Sequence, residues 1–104
     1  MLDNVNYILY YIKMIKSFRH KGLEELHQEG KTRRIRPDFV RKCAEILMYL
    51  EAAHRPESMN IAGYYFHGLH GNPRRWSVRV NRNFRITFAW DGENAVNVDL
   101  EDYH

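Results

Sequence analysis

The sequence predicts an α+β fold, with two helices in the first half of the chain and an antiparallel sheet in the second. Three observations carry this. The spacing of apolar residues changes from a period of 3.6 to a period of 2 after Pro56. Turn-forming residues separate the runs of the second half, at Gly71-Asn72-Pro73, Asn81-Arg82-Asn83 and Asp91-Gly92-Glu93-Asn94. Finally, 104 residues with 44 % hydrophobic and 28 % charged content suit one domain with its own core.

In chain order, residues 14–18 alternate and read as a short first strand. Residues 21–29 form a short helix that Gly30 stops, and the basic stretch 31–36 is its connection. Pro37-Asp38 opens the clearest helix. Its residues Phe39, Cys43, Ile46, Leu47 and Leu50 fall at i, i+4, i+7, i+8 and i+11, one apolar stripe facing a core, and Pro56 follows its end. Residues 64–69 read as strand. In 76–80, Trp76, Val78 and Val80 share one side while Ser77 and Arg79 share the other; in 84–90, Phe84, Ile86, Phe88 and Trp90 alternate with Arg85, Thr87 and Ala89. A last strand turns Val96, Val98 and Leu100 inward.

Several function classes fall away on composition. The single cysteine, Cys43, excludes an intramolecular disulfide framework and any multi-cysteine metal site, and a reducing cytoplasmic address fits it. The longest apolar run, residues 7–12, is far short of the roughly 20 residues of a membrane span. Aromatic content of 13 % with a net charge of +3 does not match disorder.

That modest net charge hides strong segregation. Residues 14–36 are net +4 and residues 37–60 net −1. Residues 61–88 carry Arg74, Arg75, Arg79, Arg82 and Arg85 with no acid; residues 89–104 carry Asp91, Glu93, Asp99, Glu101 and Asp102 with no base. Two readings follow: the acidic last strand neutralises the arginines, or the arginines bind a polyanion, nucleic acid first. The exclusive use of Arg favours the second, because a planar guanidinium suits phosphate. A three-residue loop at 81–83 pairs Val80 with Phe84, which sets Arg79 opposite Arg85 and Ser77 opposite Thr87. Like charges directly opposite are destabilising. An anion over that face explains them, so Arg79 and Arg85 are the best-argued phosphate contacts.

His67-Gly-Leu-His70 has a spacing open to a metal, but no third ligand is placed locally, and exposed polar histidines are the simpler reading. A metal-free proton-transfer role is separate, since imidazole titrates near neutrality. The ending Asp102-Tyr103-His104 offers a carboxylate, a phenol and an imidazole together. Tyrosine can stack on a base, histidine can move a proton and arginine can hold phosphate, and RNA brings its own nucleophile, the 2′-OH.

Residues 14–23, 30–34, 66–69 and 76–88, with the terminal Glu-Asp-Tyr-His, resemble the HigB toxins of the RelE/ParE superfamily, which are encoded with an antitoxin. The resemblance implies a microbial-RNase-like fold, two helices packed on a curved antiparallel sheet, and a ribosome-dependent mRNA endonuclease acting in the decoding site (the A site of the 30S subunit in the 70S ribosome). It implies His67, Arg85, Asp102, Tyr103 and His104 as active-site residues, with no cofactor or metal. Where several relatives carry lysine this chain has His70, which, with Arg74, Arg75, Arg79 and Arg82, makes up the expected RNA-binding set. A helix-turn-helix, HigA-like antitoxin is the implied partner, and operator DNA is reached only through it. Residues 1–13 are expected to be a dispensable extension ahead of one domain at 14–104. Two rivals share this fold or these arginines: a ParE-like toxin acting on gyrase, and a non-catalytic RNA- or ribosome-binding domain.

Overall fold

A computed structural model describes residues 15–103. Helix α1 (Lys21–Glu29) starts where His20 Nδ1 accepts a hydrogen bond from the Leu23 amide at 3.1 Å, and ends at Gly30. There φ of +69° closes the helix in the left-handed region that glycine adopts without strain. The helix buries Leu23 and Leu26 together with the Glu25 carboxylate, which ties down the basic connection through Arg33 and Arg34, each at 3.4 Å. Helix α2 (Val40–Ala52) follows a 3₁₀ turn at Pro37–Phe39, and the predicted stripe of Phe39, Cys43, Ile46, Leu47 and Leu50 is wholly buried. Burial pushes the Cys43 thiol up to about 12, so this cysteine is packing rather than chemistry.

The sheet has strands β1 (His67–Leu69), β2 (Arg75–Arg79), β3 (Phe84–Asp91) and β4 (Asn94–Asp102), antiparallel and in sequence order. One face packs Val78, Ile86, Phe88 and Val98 against the helices, which makes the core. The other face is left for the polar residues of each strand.

Three expectations need correction. Residues 15–18 dock in parallel along β4 through only two bridges, Ile15 to Ala95 and Phe18 to Val98, instead of forming a strand. A register shift between Thr87 and Ala89, with Asn97 at φ +54°, breaks the even spacing a ladder needs. The same shift turns Ala95 and Val98 into the core and leaves Val96 half-buried. The strand expected over 64–69 is confined to β1, because Tyr65 sits at φ +50° and breaks the extended run. Sequence reading also missed a second 3₁₀ turn, Pro56–Met59, which buries Met59 completely. The expectation for residues 1–13 lies outside the described residues.

Candidate active site

Strand alternation decides which side chains can meet. The β2–β3 register sets Ser77 opposite Thr87 and Arg79 opposite Arg85, as the hairpin length predicts. On the neighbouring strands, His67 lies opposite Ser77 and Glu101 opposite Arg85. All of these point away from the helices. Ser77 and Thr87 are buried beneath the surrounding side chains, and Tyr65, His67, Ser77, Arg79, Arg85 and Tyr103 line a cavity of about 110 Å³.

Each of the two facing arginines lies on a tyrosine ring, Arg79 over Tyr65 at 4.1 Å and Arg85 over Tyr103 at 4.7 Å. Such cation–π contacts hold a guanidinium flat without neutralising its charge. Arg79 pairs with no carboxylate of the described residues. Arg85 is half-buried, and its buried Nε lacks a hydrogen-bond partner among the described residues. Tyr103 is fixed at the cavity rim by its backbone N–H, which donates to the Asn83 carbonyl in the hairpin loop at 2.5 Å.

The acidic last strand neutralises only part of the basic segment, and Glu101 does most of it. Its Oε2 accepts from Arg75 at 2.6 Å and from the Thr87 hydroxyl at 2.6 Å, while Oε1 lies 3.9 Å from Arg85. Burial raises the Glu101 pKa, but the Thr87 and Arg75 hydrogen bonds and the charges of Arg75 and Arg85 outweigh it, leaving the carboxyl below its ordinary value. Glu101 is therefore a carboxylate at neutral pH.

The cavity thus joins an imidazole to two guanidiniums that lie directly opposite each other. A sequence profile described as the RelE-like toxin of type II toxin-antitoxin system HigB matches residues 16–104. The chain belongs to the HigB family of RelE-like toxins. The protein named endoribonuclease HigB of Proteus vulgaris is 36 % identical over 92 residues, spanning 88 % of this chain and 100 % of that protein. Toxin HigB-1 of Vibrio cholerae serotype O1 is 31 % identical over 93 residues, spanning 86 % of this chain and 98 % of its own length. As a HigB-family toxin of a type II system, the protein has an antitoxin as its partner.

Of the residues expected from sequence, His67, Arg79, Arg85 and Tyr103 meet in one cavity of this toxin. Asp102 does not line it: paired with Phe84, it belongs to the sheet face opposite Arg85. His104 lies outside the described residues. His70 and Arg74 line a neighbouring groove with Gly68, Leu69 and Gly71, and Arg74 lies over Trp76 at 5.3 Å. Arg82 is exposed at the hairpin tip. Arg75 is committed to Glu101 rather than free for a ligand. Among the described residues no group of three or more metal-ligating side chains comes together. Sequence reading missed Tyr65 and Glu101. Tyr65 lies outside β1 at φ +50°, so strand alternation does not mark it, and Glu101 was masked by its neighbour Asp102 in the same acidic run.

Proposed function

We propose that this toxin is an endoribonuclease that cuts mRNA on the ribosome, with the sheet-face cavity as its active site. The observation that carries the reading is the convergence of His67, Arg79 and Arg85 in one cavity whose positive charge is only partly balanced. A scissile phosphate is the ligand such a site suits. The name of the Proteus vulgaris relative, an endoribonuclease, supports RNA as substrate.

A general base removes the proton of the 2′-OH, the oxygen attacks the adjacent phosphorus, and the bond to the 5′ oxygen breaks as a general acid protonates it. The products are a 2′,3′-cyclic phosphate and a 5′-OH. His67 and His104 are the two proton carriers, and either can serve as base with the other as acid. Arg85, supported by Arg79, balances the charge that develops on the phosphorane oxygens. Tyr103 keeps Arg85 flat and offers a stacking edge at the rim, and Asp102 orients His104 from the strand end. Arg74, Arg82 and His70 guide the RNA strand. The ribosome holds the 2′-OH in line with the scissile bond, which free RNA rarely achieves. Its site of action is the cytoplasm, and a HigA-like helix-turn-helix antitoxin is the partner that neutralises it and carries it to operator DNA.

The test is primer extension on an mRNA with and without ribosomes, followed by analysis of the new ends. Cuts that appear only with ribosomes, survive EDTA and leave 5′-OH ends are expected. Ribosome binding without any cut would reduce the protein to a binding domain, and DNA damage without translation arrest would point to gyrase.

A further inference from the structure

Two charged side chains beside the cavity, Arg75 and Glu101, take no part in the roles above. Arg75 holds Glu101 at 2.6 Å, and Glu101 in turn faces Arg85 at 3.9 Å, beyond hydrogen-bond reach. Thr87, buried between them, donates to the same Glu101 oxygen that Arg75 takes, so two donors draw the carboxylate to the Arg75 side. The asymmetry has a chemical consequence. A carboxylate released from Arg75 would find Arg85 as its nearest cation and close the remaining gap to a full ion pair. Arg85 would then bring much less charge to a phosphate.

We propose that Arg75 and Glu101 are positioning residues: Arg75 restrains Glu101, and by doing so keeps the Arg85 guanidinium available to the RNA phosphate. The inference rests on the endoribonuclease reading of the cavity. It explains why the basic segment carries one arginine committed to a carboxylate. It also gives Glu101 a role different from simple neutralisation. Its carboxylate is near enough to Arg85 to offset the repulsion from Arg79 across the strands, yet too far to quench it.

The relay predicts sign epistasis, which a purely structural role does not. Arg75→Ala should lower kcat for ribosomal mRNA cleavage roughly tenfold, part of the 10²–10³ lost with a whole charge-stabilising donor. KM should change less than kcat, because Arg85 acts on the developing charge. Arg75→Lys keeps a cation on Glu101 and should restore most of the rate. Glu101→Gln, which leaves a neutral amide for Thr87 to bond, should by itself stay within a few-fold of wild type. Combined with Arg75→Ala it should recover most of the loss, because no carboxylate remains to seize Arg85. Melting temperatures measured in parallel separate folding from chemistry: the double variant is expected to be no more stable than Arg75→Ala and yet faster. A double variant as slow as Arg75→Ala, or slower, overturns the relay while leaving the cavity assignment intact. Arg85→Ala is the control for that assignment. If it cuts as well as wild type, the active-site reading fails and the relay with it.

Discussion

Tyr65 shows in one residue how the site is built against local preference. A left-handed backbone costs a residue with a Cβ about 1–2 kcal/mol, and strain of this kind gathers at functional sites. Here it holds an exposed ring, 63 % accessible, against Arg79. Asparagine tolerates φ near +50° better than tyrosine and has no ring to give. Tyr65→Asn should therefore leave the melting temperature unchanged or raise it by a few degrees, while cleavage falls about tenfold or more; a fall in stability with full activity would reverse this account. At this scale the sequence was informative where spacing alone fixes the outcome. Arg79 faces Arg85 because a three-residue loop leaves no other register. It was silent on Tyr65, whose backbone angle breaks the expected strand, and on Glu101. Choosing between adjacent carboxylates requires knowing which face each one joins, and that depends on the β3–β4 register.

The β2–β3 hairpin is the element that couples fold to site. Asn81 Oδ1 accepts the amides of Asn83 and Phe84, both at 2.8 Å, which shapes the loop whose Asn83 carbonyl then receives the Tyr103 N–H. The loop therefore sets both the facing arginines and Tyr103. Asn81→Ala removes two hydrogen bonds worth about 0.5–1.5 kcal/mol each. A drop in melting temperature of several degrees should follow, together with a loss of cleavage that persists well below the melting range, since Tyr103 loses its anchor. Normal cleavage at low temperature would show that the loop matters for stability alone. The helices were legible almost to the residue, because the stripe from Phe39 to Leu50 and the Gly30 stop are local signals. The edges of the sheet were not. Residues 15–18 and Val96 follow from the register shift in β4, a feature that periodicity cannot anticipate.

Across the whole molecule, helices cover one sheet face and leave the other to arginines, and a few carboxylates decide how that charge is balanced. The Glu101 pKa is held below its ordinary value of 4.5, so the carboxylate stabilises the folded state above that pH and loses its contribution as acid protonates it. Wild type should lose stability faster than Glu101→Gln between neutral pH and about pH 3, and the two melting curves should draw together at the acid end. Parallel curves would mean that the network beneath the cavity contributes nothing to folding. The claim that this polar face is where RNA is cut has its most direct test in primer extension on ribosome-bound mRNA with Arg85→Ala beside wild type. The account predicts discrete ribosome-dependent cuts for wild type and a loss of roughly 10²–10³ in rate for the variant, with the fold intact by melting. Equal cutting by the two proteins would contradict it.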